Sequence, residues 1–159
     1  MKIQPKKILI KDLYKGYKDN LDAGVVGYGG KLDIRPPYQR EFVYGVKERD
    51  LVIDTVKKNF PLNVMYWEVK EDGNFAVIDG QQRIISICQY LNGDFSFQRL
   101  SFDNLPEDKQ KQINNYPLTV YFCSGKPSEK LDWFRVINIA GKQLNEQERK
   151  NAVYSGPWV

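Results

Sequence analysis

The five residues from Asp79 to Arg83 read Asp-Gly-Gln-Gln-Arg and are the strongest candidates for chemistry in this sequence. Arg83 can make bidentate contacts to phosphate oxygens, although a surface salt bridge is its plain alternative. Asp79, the only carboxylate of the five, can hold Mg²⁺ through water, orient a hydrolytic water or cap a helix. The side chains of Gln81 and Gln82 can orient a water molecule or contact a base or a ribose. Adjacent helical residues point apart, so we expect only one of them to face a ligand.

A predicted strand and a predicted helix position these residues. Residues 74–78 have the aromatic and β-branched content of a buried strand. The residues after Arg83 repeat at helical spacing, with an apolar face formed by Ile84, Ile85, Ile87, Cys88 and Leu91. Gly80 falls at the turn, where glycine permits a positive φ angle and close approach of a ligand. A helix N-terminus also offers unpaired N–H groups and a positive dipole end, so the turn suits an anion.

Two further polar pairs are candidates for the same site. Gln39 and Arg40 follow two prolines, which force an extended chain and fix the direction of both side chains. A solvated turn is the more usual explanation for such a pair taken alone. Arg135 and Asn138 are three residues apart on one face of a helix predicted at about 128–138.

The remaining pattern predicts an α+β protein, because the elements show no regular β-α-β repeat. It predicts helices at 46–59 and 106–115, strands at 32–35, 62–69 and 118–122, and an extended stretch at 95–102. An Asp-Gly turn at 72–73 predicts an antiparallel hairpin between strands 62–69 and 75–78. Residues 1–30 are predicted as a short element near 8–17 followed by a mobile glycine-rich loop. A capping box at Asn145 and Glu148 predicts a last helix.

The aromatic residues of the predicted strands and apolar helix faces invite comparison with base-stacking sites. Core packing is nevertheless the favoured interpretation for most of this set. Its members are Tyr66, Trp67, Tyr90, Tyr121, Trp133 and Phe134.

Composition narrows the possible chemistry. The 159 residues are one domain in length, 42% apolar, and carry a net charge of +4, which is compatible with phosphate contacts but too mild to establish them. The absence of histidine excludes Ser-His-Asp and Cys-His catalysis, histidine-ligated zinc and histidine-dependent nucleases. Cys88 and Cys123 lie in apolar stretches without metal-ligand spacing, which is typical of buried thiols. No apolar run reaches the roughly 20 residues that span a bilayer, so we expect a cytoplasmic protein.

Three ordered segments together resemble the N-terminal domain of GmrSD-type restriction endonucleases: residues 37–44, residues 79–83, and residues 134–138 with 141–144. The resemblance covers roughly residues 30–156, and that family is placed in the ParB/sulfiredoxin superfamily. Two positions depart from the family pattern: Ile139-Ala140 replaces a frequent Thr-Gly pair, and Tyr44 replaces tryptophan. Gln81 stands where sulfiredoxins carry their cysteine nucleophile, so thiol chemistry at this corner is not expected.

The resemblance implies a ParB/sulfiredoxin-like mixed sheet with surrounding helices and a nucleotide-binding domain over residues 31–159. It implies an NTP-binding and NTP-hydrolysing regulatory domain of a bacterial anti-phage protein, with Mg²⁺ as cofactor. Nucleotide turnover would be coupled to the cutting of modified DNA by a separate C-terminal His-Asn-His nuclease domain, which this histidine-free chain does not contain. The aromatic C-terminal residues 154–159 likewise lead us to expect the N-terminal part of a longer protein.

The resemblance and the residue chemistry together assign roles within the site. The catalytic candidates are Asp79, Gln82 and Arg83, and Asp79 is the candidate for water-mediated Mg²⁺. The nucleotide-binding candidates are Gln39, Arg40, Gly80, Gln81, Arg135 and Asn138.

Two other functions remain open, as does the oligomeric state. The first is a DNA-binding or modified-DNA-sensing module without NTP turnover, supported by the basic N-terminal stretch. The second, less favoured, is a metal-dependent DNA nickase built on Asp79, because one carboxylate makes a weak metal site.

Overall fold

The computed structural model describes residues 1–36 and 45–136. Within these ranges the chain forms one seven-stranded mixed sheet, five α-helices and two short 3-10 helices, which confirms the α+β class. The strands are β1 (Lys2–Leu9), β2 (Lys18–Asp19), β3 (Val25–Gly27), β4 (Leu32–Arg35), β5 (Met65–Val69), β6 (Phe75–Asp79) and β7 (Pro117–Ser124). The α-helices are α1 (Ile10–Tyr14), α2 (Val46–Lys57), α3 (Gln81–Leu91), α4 (Glu107–Asn114) and α5 (residues 127–136).

The sheet order is β1-β7-β5-β6-β4-β3-β2. Two neighbouring pairs, β4 with β6 and β5 with β7, are parallel, and the other four pairs are antiparallel. The predicted hairpin is confirmed: β5 and β6 pair antiparallel, and Gly73 in their turn has φ +86°. The turn brings the end of β6 back beside the start of β5.

Alternation along the central strand β5 gives the sheet two different faces. Met65 and Trp67 are fully buried, and they belong to one core with the apolar side of α3. Tyr66 and Glu68, which alternate with them, remain partly exposed. The face that carries Tyr66 and Glu68 is therefore only half-covered, and we call it the open face.

Helix α5 lies against the open face. The buried Lys130 forms an ion pair with Glu68 over 3.0 Å, and the ring of Trp133 meets the ring of Tyr66 edge-on at 6.5 Å. These contacts hold α5 next to β5.

Several sequence predictions agree with the structure and others need correction. Helices α2, α3 and α4 and strands β4 and β7 lie where the pattern placed them, and α3 ends before Gly93, which has φ +82°. The predicted loop after residue 17 instead contains the short strands β2 and β3. Residues 95–102 are not extended, because Gln98 and Arg99 adopt positive φ angles and turn Phe97 back onto Leu100.

The prediction for the cysteines is confirmed, since Cys88 and Cys123 are both buried free thiols. None of the helices in the described ranges has the length and apolar character needed to cross a bilayer. The predicted helix that begins with Asn145 and Glu148 lies outside the described residues.

Candidate functional site

The candidate site begins where two parallel strands end at the same edge of the sheet. Strand β4 pairs in parallel with β6, so their carboxyl ends lie side by side. The amide Nε2 of Gln81 donates a hydrogen bond to the carbonyl oxygen of Ile34 over 2.8 Å, which ties the start of α3 to the end of β4. The chain that leaves β4 through Pro36 therefore departs beside the Asp79–Arg83 turn. Ligands of open sheets commonly bind outside the carboxyl ends of such strands.

Gly80 forms the sharp corner between β6 and α3. Its φ of +104° lies in the region that favours glycine. A Cβ atom at this position would lie 2.7 Å from Cγ of Met65, closer than such atoms approach without a shift. Glycine is therefore required at this corner by both conformation and space.

The N-terminus of α3 has no side-chain cap among the described residues. The first intrahelical bond runs from the N–H of Ile84 to the carbonyl of Gly80 over 3.0 Å. The backbone N–H groups of Gln81, Gln82 and Arg83 consequently have no intrahelical acceptor. No acidic residue lies in the first turn of the helix. These donors and the helix dipole make the corner suitable for an anion.

Arg83 turns back toward the corner and bridges the start of α3 to the segment before β5. Its Nη1 donates to the carbonyl of Asn63 over 2.5 Å, and its Nη2 donates to the carbonyl of Val64 over 3.3 Å. Nη2 also lies 3.5 Å from Oδ2 of Asp79. The predicted strand 62–69 begins only at Met65, since the two preceding carbonyls bind Arg83. These carbonyl contacts were not predicted, because they depend on the register of the β5–β6 hairpin and on the residue at which β5 begins.

Asp79 faces an aromatic pair that the site predictions did not include. Asp79 lies opposite Tyr66 in the β5–β6 ladder, and the ring of Tyr66 stacks on Tyr121 at 5.5 Å and 23°. The pKa of the Tyr66 phenol is raised, chiefly by burial and then by the neighbouring Tyr121 and Asp79. The Asp79 side chain is 38% exposed, so its carboxylate reaches solvent beside these rings.

The structure brings four of the predicted site residues together. Asp79, Gly80, Gln81 and Arg83 surround one corner, and the side-chain nitrogen of Gln82 is buried. Arg135 lies exposed on α5. The remaining candidates, Gln39, Arg40 and Asn138, lie outside the described residues. Within the described ranges, no group of three or more histidine, cysteine, aspartate or glutamate side chains is placed to hold a metal ion.

Comparison with known proteins identifies the family. A family model described as the GmrSD restriction endonuclease N-terminal domain matches residues 10–155. No curated protein and no solved structure matches the chain significantly. The matched span includes the corner at Gly80 and the strands that form it. The chain therefore belongs to the family of GmrSD restriction endonuclease N-terminal domains.

Proposed function

We propose that this domain binds and hydrolyses a nucleoside triphosphate and thereby regulates a DNA-targeting restriction protein. The observation that carries the proposal is the N-terminus of α3 at Gly80, where the positive end of the helix dipole meets no acidic residue of the first turn and where Arg83 and Asp79 lie alongside. Backbone N–H groups at a helix start are a general means of holding phosphate. The likeness to the restriction family supports a role in restriction, and nucleotide turnover is the regulatory step that we add.

The residues at the corner fit the parts of a nucleotide. The backbone N–H groups of Gln81 and Gln82 would bind phosphate oxygens, and Gly80 leaves the approach to the backbone open. Arg83 would balance the charge of the phosphates. Gln82 would orient the attacking water. Gln39, Arg40, Arg135 and Asn138 remain proposed contacts to the nucleotide.

Asp79 suits a Mg²⁺ ion that keeps much of its water. Mg²⁺ in phosphoryl-transfer proteins is commonly bound by one or two carboxylates together with substrate phosphates and waters. A single, partly exposed carboxylate next to an anion site fits that donor set without a preformed metal cage. When bound, the ion neutralises charge on the phosphates.

Melting temperature tests the proposal most simply. A ligand present at 100 times its dissociation constant adds about 2.7 kcal/mol of stability. For a chain of this size that corresponds to a rise in melting temperature of about 5–10 °C. We expect ATP, GTP, CTP or UTP with Mg²⁺ to produce this shift in the wild-type chain. The proposal fails if none of the four nucleotides shifts melting.

A matched pair of variants locates the effect. Arg83→Ala should abolish the nucleotide-dependent shift, measured against its own melting temperature without nucleotide. Arg99→Ala removes the same charge from an exposed turn beyond the far end of α3 and should retain the full shift. Equal loss of the shift in both variants would indicate a general charge effect and contradict binding at the corner.

Nucleotide hydrolysis needs a separate test. Asp79→Asn removes the carboxylate while keeping the size of the side chain, so it should lower Mg²⁺-dependent phosphate release more than tenfold. Asp108→Asn, at an exposed position of α4, is the control and should release phosphate at the wild-type rate. Unchanged release in Asp79→Asn would remove Asp79 from the proposed catalytic role.

Exposed lysines near the N-terminus favour a second candidate function, DNA binding without NTP turnover. They lie on β1, α1, the following turn and β2, and are Lys2, Lys6, Lys7, Lys11, Lys15 and Lys18. Lysines that neutralise DNA phosphates give an affinity that falls steeply with salt, with a slope of about −0.9 per contact. Undetectable or salt-independent DNA binding would contradict this candidate. The metal-dependent nickase has less support, because Asp79 belongs to no group of three or more metal-ligating side chains among the described residues.

A further inference from the structure

The structure separates the aromatic residues into two groups with different surroundings. Trp67 and Tyr90 are 0% and 1% exposed and belong to the core, which agrees with the sequence prediction. Tyr66 and Tyr121 are only half-buried and lie on the open face, as neighbours on the parallel strands β5 and β7. Packing in the core therefore explains the first group but not the second.

Tyr66 and Tyr121 form a stacked aromatic pair, which we call the aromatic platform, and Trp133 lies beside it. Their ring centroids are 5.5 Å apart with an interplanar angle of 23°, which is a stacked arrangement. Trp133 of α5 approaches Tyr66 nearly perpendicular, at 6.5 Å and 77°. Aromatic side chains that lie outside a core can extend their stack to a planar ligand such as a base.

Polar groups at the aromatic platform are available for a heterocyclic ligand. No hydrogen bond joins the hydroxyl of Tyr66 or Tyr121 to another residue within the described ranges. The carboxylate of Asp79 lies beside Tyr66, because the two residues are directly opposite in the ladder. Hydroxyl and carboxylate groups next to stacked rings can contact the exocyclic groups of a base or the hydroxyls of a ribose.

The aromatic platform also lies close to the proposed phosphate site. Residues opposite each other in a sheet have Cβ atoms about 4.5–5.5 Å apart, and Asp79 directly precedes Gly80. Tyr66 and the N-terminus of α3 therefore meet at the same edge of the sheet, Tyr66 on the open face and α3 on the core face. A nucleotide that reaches over this edge can place its phosphates at the helix and its base on the tyrosines.

We propose that Tyr66 and Tyr121 bind the base of the nucleoside triphosphate by stacking, while the corner at Gly80 binds its phosphates. This assignment rests on the proposed nucleotide function. Stacking on an aromatic face tolerates different bases, so the platform predicts binding of several nucleotides with modest preference among them.

Comparison of a nucleotide with inorganic triphosphate tests the assignment, because only the nucleotide carries a base. Tyr66→Leu removes the stacking surface but keeps an apolar side chain against Trp133. Its affinity for the best-binding NTP should fall about tenfold, whereas its affinity for inorganic triphosphate should stay within about twofold of wild type. Tyr66→Phe keeps the ring and should bind the nucleotide within about threefold of wild type. Calorimetric titration of the intact chain gives each dissociation constant.

A second stacked tyrosine pair supplies the matched control. Tyr14 and Tyr17 stack at 5.8 Å and 28°, and Tyr14 bonds to Asn92 beyond the C-terminal end of α3, away from the corner at Gly80. Tyr14→Leu should leave both affinities unchanged. If Tyr66→Leu lowers the melting temperature more than Tyr14→Leu, the Tyr66→Phe titration still decides whether the ring is sufficient.

The possible outcomes distinguish the inference from the function on which it rests. If wild type binds neither nucleotide nor triphosphate, the proposed function fails and the platform with it. If wild type binds the nucleotide and Tyr66→Leu binds it equally well, or loses nucleotide and triphosphate affinity alike, only the platform is overturned. If Tyr66→Leu loses affinity for a single-stranded oligonucleotide but keeps its affinity for the NTP, the base belongs to DNA and the assignment to free nucleotide is wrong.

Discussion

Replacement of Gly80 by alanine tests the geometry of the corner on which the site depends. The φ of +104° strains any L-residue, at a cost of about 1–2 kcal/mol. The added Cβ would also lie 2.7 Å from Cγ of Met65, which itself is fully buried. Overpacking of a buried contact costs about 1–3 kcal/mol more. We therefore expect Gly80→Ala to lower the free energy of unfolding by about 2–5 kcal/mol.

Gly93→Ala is the matched control, because it shares the backbone strain without the collision. Gly93 has φ +82° and no atom within 4 Å of the position of an added Cβ. Its substitution should cost only the conformational part, about 1–2 kcal/mol. Urea denaturation of the three proteins gives the two differences, and in thermal melts Gly80→Ala should lose about 2–4 °C for each kcal/mol.

The reasoning is refuted if the two alanine variants lose equal stability, because the contact with Met65 would then contribute nothing. A third comparison locates the contact. In a Met65→Ala background, the cost of Gly80→Ala should fall toward the level of Gly93→Ala, since Cγ and Sδ of Met65 are removed and only its Cβ, at 3.1 Å, remains. An undiminished cost would place the strain elsewhere at the corner.

Three further predictions follow from buried groups near the sheet. Arg83→Lys keeps the charge but loses the forked contacts to two carbonyls, so urea denaturation should show a loss of about 1–3 kcal/mol. Burial raises the pKa of the Cys88 thiol above its ordinary value of 9.0, so the folded state holds this proton to higher pH than the unfolded chain. Stability should therefore fall above about pH 9, and less steeply in Cys88→Ala. Glu68→Ala leaves the buried Lys130 without its carboxylate and should cost about 2–4 kcal/mol in the same denaturation assay, more than Lys130→Met.

The local structure of the corner could be predicted because neighbouring residues determine it. The Asp-Gly turn at 72–73 specifies the β5–β6 hairpin, and the change from strand to helical spacing places the turn at Gly80. The interaction between Arg83 and Asp79 spans a single helical turn. Each of these signals lies within a short stretch of sequence.

The pairing of distant segments could not be predicted in the same way. Strand β1 pairs with β7 across more than 100 residues, and nothing in its lysine-rich sequence specifies that partner. The parallel pairing of β4 with β6 likewise determines that Gln81 bonds to Ile34. Because β5 has neighbours on both sides, its aromatic pattern does not reveal which tyrosine faces the open side.

A structure of the chain with a non-hydrolysable NTP and Mg²⁺ tests the central claim most directly. The account predicts phosphate oxygens within hydrogen-bond distance, about 2.7–3.2 Å, of the backbone nitrogens of Gln81 and Gln82. It also predicts the base stacked on Tyr66 or Tyr121. Phosphates bound away from the N-terminus of α3 would contradict the account, wherever the base lies.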